Sequence, residues 1–416
     1  MLDTRLTPHL GAETGALDYD SLFDVKDEQG NSIFTGVQGI TVVGDKIYLV
    51  RTHSDWVYDE TTGTGQDVES NVLYLVERDT DGALYMTKST DITGLTGATQ
   101  VRVSNDGNSL YVIGADNIAL FDASDLHEIG NVGSDLGMVR DVLAQGDKVY
   151  VTSGDSLLVF TRSGETLTLT TTLSDAGDTG LQLDGANALT LSPDGKTLFV
   201  ATSGGDTVVS RFSVGDDGTL TYQQVIAGST ASEEGYYASA ITVSPDGKSL
   251  YVVDNNTSLH IFAVAQDGTL TATSTLPIGE DATSVKQVLV SPDGTSVVIT
   301  GELGRSENYN TYGVILYARA TDGSLTQLQA VEGFGDIANY NGTTLNEVRY
   351  ASFSAYGKQL YLTGTLNYDT PEGSSSSISF PPARPLRKEA MPSPCSPEGR
   401  CLPLSTMKAA IKVPRW

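Results

Sequence analysis

The sequence predicts an all-β protein: a seven-bladed β-propeller of four-stranded antiparallel blades. Three observations predict it: a turn motif that recurs along the chain, a second Asp-Gly turn after most copies, and no long stretch with the 3.6-residue apolar period of a helix. Frequent Thr, Ser, Val and Leu, together with 44 glycines, favour short strands joined by tight turns. A length of 416 residues suits one large all-β domain.

The recurring motif consists of an apolar strand, a turn that contains Gly and usually Asp, and a strand that usually contains an aromatic residue. Three copies begin with Ser-Pro-Asp-Gly, at Ser192, Ser244 and Ser291. A turn glycine permits a positive φ, and the Asp side chain can bond its own backbone. The turn glycines of the copies are Gly44, Gly107, Gly146, Gly195, Gly247, Gly294 and Gly357.

The second Asp-Gly turn extends each copy to a full blade. A unit of roughly 45 residues then contains four strands in a meander, which is the period of a propeller blade. The last unit, Glu347–Gly364, offers only two strands, and Leu22–Phe34 is similar to the outer half of a blade. We expect these halves to pair, two strands from each end of the chain, so that the last blade closes the ring and removes exposed edges.

Composition divides the chain into a leader at 1–20, a propeller at 21–365 and a tail at 366–416. Residues 374–416 contain seven Lys or Arg, two Glu and no Asp, and they include both cysteines. Eight of the 14 prolines lie in 381–416, so we expect the tail to be disordered. It is either a flexible segment that binds something acidic, or a shifted reading frame or fragment junction. We favour the second interpretation because the sign of the charge and the use of Pro, Gly, Asp and Cys all change at one point.

Net charge excludes some classes of partner. The value of −27 argues against a general nucleic-acid-binding protein, because phosphates would be repelled. No apolar run of 18 residues is present, so we expect no membrane insertion. The first residues, MLDTRLTPHLGAETG, lack the pattern of a signal peptide. A cytoplasmic protein, another export route and a missing N-terminal segment all fit this start.

One stretch carries a family resemblance. Residues 188–226, ALTLSPDGKTLFVATSGGDTVVSRFSVGDDGTLTYQQVI, resemble the seven-bladed lactonase-type propellers, which include 6-phosphogluconolactonase-like and YVTN surface-repeat proteins. The resemblance covers about residues 20–365 and implies the propeller fold, with hydrolysis of a sugar lactone as one activity. Enzyme-like members tend to carry a His-Pro or His-Ala pair before the SPDGK strand. The corresponding stretches here, DGANALTLS, YYASAITVS and SVKQVLVS, contain no histidine.

Long loops opposite the Asp-Gly turns are where we expect function, because variable loops on a rigid scaffold carry binding and catalytic residues. They are predicted at Arg51–Ser70, Gly301–Gly313 and Gly333–Tyr350, with a shorter one at Ser229–Ser239. The first, sixth and seventh blades are neighbours in a closed ring. Three of these loops are therefore expected to converge.

Candidate site residues come from these loops. His53 or Glu307 would serve as a general base, and Arg305 or Arg349 would hold an anionic group; the alternatives are a solvated histidine and ordinary ion pairs. The candidate ligand-binding aromatic residues are Trp56, Tyr58, Tyr309, Tyr312 and Tyr340. Oxygen ligands for a calcium ion, the one cofactor considered, would come from Asp55, Asp59 and Glu60.

The sequence alone favours a binding module. This would be a bacterial propeller, extracellular or on the cell surface, that docks a protein or carbohydrate ligand on its long-loop face and belongs to a larger chain. The acidity, the cysteine-free body and the lack of GxSxG or HExxH motifs support it. The alternative function is a lactonase-type hydrolase of a sugar lactone, and the alternative location is periplasmic or cytoplasmic.

Overall fold

All regular elements in the described part of the chain are β-strands. No helix there is long and apolar enough to cross a membrane. The computed structural model describes residues 21–380 apart from 24, 28–32, 35, 60–63, 80–82, 134–135, 175–180, 204–206, 228–237, 255–257, 280–281, 307–308, 333–343, 355–356, 358 and 368–373.

Six four-stranded antiparallel sheets each consist of strands that are consecutive in the chain, and we call them blades 1 to 6. The strands of blade 1 are β2 (Val37–Val43), β3 (Lys46–Asp59), β4 (Thr64–Arg78) and β5 (Leu84–Ile92). Those of blade 2 are β6 (Gln100–Val103), β7 (Ser109–Ile113), β8 (Ile118–Asp122) and β9 (Glu128–Val132). Those of blade 3 are β10 (Val139–Gln145), β11 (Lys148–Ser153), β12 (Ser156–Ser163) and β13 (Thr166–Ser174).

The next three blades follow the same order. The strands of blade 4 are β14 (Ala188–Leu191), β15 (Thr197–Ala201), β16 (Thr207–Val214) and β17 (Leu220–Ala227). Those of blade 5 are β18 (Ala238–Val243), β19 (Ser249–Asp254), β20 (Ser258–Val264) and β21 (Leu270–Pro277). Those of blade 6 are β22 (Ser284–Val290), β23 (Ser296–Ser306), β24 (Tyr309–Arg319) and β25 (Leu325–Glu332).

The remaining strands form one more four-stranded sheet, which we call the seam sheet. From the inside outwards its strands are β26 (Thr344–Phe353), β27 (Leu360–Asn367), β28 (Ser374–Phe380) and β1 (Ser21–Phe23). Seven blades were expected; six are built from consecutive strands, and the seam sheet joins both ends of the chain. The first strands of neighbouring sheets contact one another from β2 round to β26, and β26 contacts β2, so they enclose a central channel.

The predicted division of the seam into two strands from each end is wrong. Three strands come from the C-terminal side, and only Ser21–Phe23 enters the sheet from the N-terminal side. The reason is that Ser374–Phe380 follows β27 closely enough to form a hairpin, with Leu360 opposite Phe380. Disorder was expected from Ser374, but Ser374–Phe380 forms strand β28, so the sheet extends past the predicted boundary at residue 365. Residues 381–416 lie outside the described residues.

The Asp-Gly turns explain the first half of the recurring motif. In the fourth blade, the Ser192 hydroxyl donates to Asp194 Oδ1 at 2.6 Å, and the Lys196 amide donates to the same oxygen at 3.1 Å. Gly195 adopts a φ of 72°, which only glycine takes without strain. These bonds hold the pKa of Asp194 below its ordinary value, with the Ser192 hydrogen bond as the main cause.

The aromatic residue of the motif joins neighbouring blades. The Tyr48 hydroxyl in blade 1 donates to the carbonyl of Ala123 in blade 2 at 2.7 Å. Likewise, the Tyr251 hydroxyl in blade 5 donates to the carbonyl of Gly323 in blade 6 at 2.9 Å. Both acceptors lie in the turn between the third and fourth strands of the next blade. The second strand of one blade is therefore bonded to the outer turn of the next blade at each of these two interfaces.

Candidate functional site

The innermost strands share an irregularity that faces the channel. The ladders of β2, β10, β18 and β22 each shift register at one residue, which makes a β-bulge. A bulge leaves one residue unpaired and redirects its side chain. The bulged residues are polar in all four strands: Gln38, Arg140, Ser239 and Lys286.

A small cavity of about 30 Å³ opens in the channel where blade 6, the seam sheet, blade 1 and blade 2 meet. Strands β2, β6, β22 and β26 supply its lining, which consists of Gly39, Ile40, Gln100, Val101, Arg102, Lys286, Gln287 and Tyr350.

The cavity is cationic although the protein carries a net charge of −27. Arg102 and Lys286 line it, and its other lining residues are uncharged. The innermost strands as a whole carry four cations, Arg102, Arg140, Lys286 and Arg349, and two carboxylates, Asp141 and Glu347, so cations outnumber acids around the channel. A cation in a partly enclosed site attracts an anionic group more strongly than one on the open surface. This part of the channel is therefore suited to a carboxylate or to an oxygen that becomes negative during a reaction.

Uncharged lining residues are held in place by the surrounding strands. Gln287 Oε1 accepts the amide N–H of Ala351 at 2.6 Å, which ties the side chain to the seam sheet. Gln100 Nε2 donates to the Arg140 carbonyl at 3.3 Å. Burial raises the pKa of the Tyr350 phenol above its ordinary value, although the nearby Arg349 and Arg102 oppose that shift. Tyr350 is therefore protonated at neutral pH and can donate a hydrogen bond.

Two residues predicted from sequence, Arg349 and Tyr312, contact each other. The guanidinium carbon of Arg349 lies 5.1 Å from the ring centroid of Tyr312. The Tyr312 hydroxyl donates to Glu302 Oε1 at 2.7 Å, and the Thr283 hydroxyl donates to the other carboxylate oxygen at 2.8 Å. In β26, Arg349 directly precedes the cavity-lining Tyr350.

Two of the predicted loops are instead long β-hairpins. Strands β3 and β4 pair as far as Asp59 opposite Thr64, whereas β5 pairs with β4 only to Asn71. Residues 53–59 and 64–70 thus form a two-stranded ribbon beyond blade 1. Strands β23 and β24 likewise pair as far as Ser306 opposite Tyr309. The loop prediction was wrong because polar residues hid the strand pattern: Trp56, Val57 and Tyr58 favour extended backbone.

The other predicted site residues stay predictions. His53 lies half-buried in β3, on the face of that strand that Arg51 shares. Strand β3 also contains Asp55, Trp56, Tyr58 and Asp59, β23 contains Arg305 and β24 contains Tyr309. Outside the described residues lie Glu60, Glu307 and Tyr340. Within the described ranges, no group of three or more His, Cys, Asp or Glu side chains could hold a metal ion.

Sequence reasoning missed the cavity residues because they come from four distant strands. A signal was present nevertheless. Pairs of adjacent polar or aromatic residues, Lys286-Gln287 and Arg349-Tyr350, stand at the same position of the first strand in successive units. When an innermost strand is apolar except for such a pair, the pair indicates that one of its two residues is exposed to the channel.

No protein-family model and no curated protein matches the chain. Solved structures do match it as a β-propeller. The periplasmic gluconolactonase of Pseudomonas aeruginosa is 18% identical, with a TM-score of 0.55, over 71% of this chain and 85% of that one. A candidate 6-phosphogluconolactonase from Bacteroides uniformis is 18% identical, with a TM-score of 0.56, over 80% and 95%.

The same fold also occurs in an unrelated setting. A chain of a mitotic checkpoint complex is 14% identical, with a TM-score of 0.54, and the match covers 91% of this chain and 96% of that one. At such identities the comparisons establish the propeller fold alone, because one fold hosts many functions.

Proposed function

We propose that the cavity binds a sugar lactone and hydrolyses it to the open-chain sugar acid. The observation that carries this proposal is the cavity itself, which places Arg102, Lys286 and the protonated phenol of Tyr350 together at the centre of the ring. The structural likeness to a gluconolactonase supports the choice of substrate. The lactone alternative is thereby preferred over a surface binding module.

The reaction needs a nucleophile and a place for negative charge. Water adds to the lactone carbonyl carbon, the ring C–O bond then breaks, and the ring oxygen takes up a proton to become a hydroxyl. Arg102 and Lys286 stabilise the negative oxygen of the tetrahedral intermediate, and Tyr350 donates a hydrogen bond to it. The product carboxylate keeps the same charge, so the cations also bind the product.

His53 or Glu307 removes a proton from the attacking water in this proposal. His53 lies on β3, and Glu307 follows β23 in the chain, outside the described residues. Arg349, and with it Arg305 from the β23–β24 hairpin, attracts the substrate to the channel mouth. The aromatic residues Trp56, Tyr58, Tyr309, Tyr312 and Tyr340 would pack against the sugar there.

The proposal also covers the closure of the ring, the location of the protein and the C-terminal tail. The seam sheet serves as a seventh blade, which is supported by the contacts of β26 with both β22 and β2. A periplasmic location suits such an enzyme and matches the Pseudomonas protein, whereas an extracellular location suits the binding module. Residues 381–416 stay a candidate non-native tail.

The test is hydrolysis of D-glucono-1,5-lactone and of 6-phosphogluconolactone by the purified full chain, followed in a pH-stat. Heat-denatured protein serves as the control because lactones hydrolyse unaided. We expect R102A and K286A to lower kcat/KM by about 100-fold, a typical loss for one oxyanion-stabilising group. K248A, on the Asp-Gly-turn face, should leave it unchanged. Wild-type protein no faster than the denatured control would refute the proposal.

A further inference from the structure

The carboxylate of Asp141 is buried beside the cavity, with 5% of its side chain exposed. Its Oδ1 accepts the Arg102 Nε–H at 2.9 Å and the backbone N–H of Val142 at 2.9 Å. Its Oδ2 accepts the backbone N–H of Leu189 at 3.2 Å. One carboxylate therefore joins the innermost strands of blades 2, 3 and 4.

We propose that Asp141 is a positioning residue that fixes the guanidinium of Arg102 in the cavity. This inference rests on the proposed function, because it concerns the group that receives the lactone oxygen. Arg102 alone has a long, flexible side chain, and 36% of that side chain is exposed. Two backbone amides hold Asp141 rigidly, so its bond to Nε removes much of that freedom.

Asp141 bonds the Nε of Arg102 and not a terminal nitrogen, and this determines which donors stay available. A guanidinium has five N–H donors in a planar fork. Asp141 engages the donor on Nε and leaves the four donors on the two terminal nitrogens, and the Arg102 charge lies close enough to the cavity-lining Tyr350 to act on the pKa of its phenol. Pre-organised donors of this kind stabilise a developing oxyanion without a reorganisation cost during the reaction. The pair thus orients the cation without covering its terminal nitrogens.

A second Arg–Asp pair provides a matched control. Arg319 Nη2 donates to Asp246 across the interface of blades 6 and 5, at 3.0 Å. That pair also links two blades, but it lies at the Asp-Gly turns, away from the cavity-lining residues. A purely structural role for Asp141 predicts that D141N and D246N behave alike.

The experiment compares wild type, D141N, D246N and R102A in the full chain. The probe is D-gluconate, and its affinity is measured by titration calorimetry. The Arg102 Nε–H resonance is followed by ¹⁵N NMR as a readout that does not depend on any activity. We expect D141N to lose the exchange protection of this proton and to bind gluconate about tenfold more weakly, which corresponds to about 1.4 kcal/mol. D246N should change neither.

The outcomes separate the two proposals. If R102A weakens gluconate binding and D141N does not, the positioning role is overturned while the proposed function stands. If the Arg102 proton stays protected in D141N, the positioning role is overturned whatever the binding result. If R102A affects neither gluconate binding nor lactone hydrolysis, the proposed function fails and this inference fails with it. Should D141N not fold, R102K replaces it: we expect it to bind gluconate as weakly as R102A, and wild-type affinity would overturn the inference.

Discussion

One terminal nitrogen of Arg319 in blade 6 donates to both carboxylate oxygens of Asp246 in blade 5, at 3.0 Å each. The Nε of the same arginine donates to the Tyr251 hydroxyl at 2.8 Å, and that hydroxyl donates to Gly323. Arg319, Tyr251 and Asp246 therefore form one polar network at a buried blade interface. Its members are distant in sequence, and the repeated turns bring them together.

Removal of the Tyr251 hydroxyl should weaken this interface. Tyr251→Phe leaves the Arg319 Nε and the Gly323 carbonyl without their partner, so we expect a loss of about 1–3 kcal/mol in the free energy of unfolding. Urea denaturation followed by circular dichroism measures it. Tyr85→Phe is the control, because Tyr85 is an exposed residue of the outer strand β5. Equal stability of the two variants would contradict the network.

Acid should unfold the protein through the Asp-Gly turns. Hydrogen bonds from Ser104 and Ser192 are the main cause that holds the pKa of Asp106 and Asp194 below the ordinary 3.8. A lowered folded-state pKa means that the carboxylates stabilise the fold fully above pH 3.8, and that this contribution is lost as the pH falls through the lower folded-state values.

The melting temperature should therefore fall steeply between about pH 4 and pH 2, where these carboxylates take up protons. Differential scanning calorimetry at a series of pH values measures the fall. A Ser104→Ala, Ser192→Ala double variant should be less stable at pH 7 and lose less on acidification. A steeper loss in the variant would show that other groups govern acid unfolding.

A methyl group at Gly39 should damage the cavity. A Cβ there would lie 2.8 Å from the Val101 amide nitrogen and 2.9 Å from the Gln100 Cα, so β2 and β6 would have to separate. We expect Gly39→Ala to cost about 1–3 kcal/mol of stability and to weaken gluconate binding. Gly133→Ala is the control, because nothing lies within 4 Å of its added Cβ. Calorimetric unfolding and binding measurements report both effects, and unchanged gluconate binding in Gly39→Ala would place the ligand elsewhere.

Two truncations should show how much the seam sheet and residues 381–416 each contribute to thermal stability. Deletion of 381–416 should leave the melting temperature within about 1 °C, because a segment that buries little apolar surface adds little stability. Deletion of 374–416 also removes β28, which pairs with β27 and β1, and should lower it by more than about 4 °C. A thermal scan of both proteins decides, and equal melting temperatures would show that β28 contributes nothing to closure.

Local signals made most of the fold predictable. Ser192, Asp194 and Gly195 encode their turn within four residues, and copies of that turn fix the positions of the strands around it. The seam was harder to predict, because Ser21 and Ser379 pair across nearly the whole chain. Nothing in the local sequence distinguishes a last strand from a tail when its residues are mostly serine.

The site was less predictable than the fold for a geometric reason. Arg102 and Lys286 come from blades 2 and 6, and only closure of the ring brings them to one cavity. Loop length and charge instead pointed to the long loops, from which Arg349 and Tyr312 do contact each other. A search for polar residues on the first strand of each repeat would have found the channel itself.

The seam also sets the order of events during synthesis. Blades 1 to 6 each consist of strands that leave the ribosome in succession, so each can form while translation continues. The seam sheet cannot form until Phe380 has emerged, because β1 waits for β28. Until β26 and β27 have emerged and packed against β2 and blade 6, the nascent chain carries open flanks at these two places. Chaperone binding to the unfinished ring should therefore concentrate on these two flanks and end when the inner strands of the seam sheet dock.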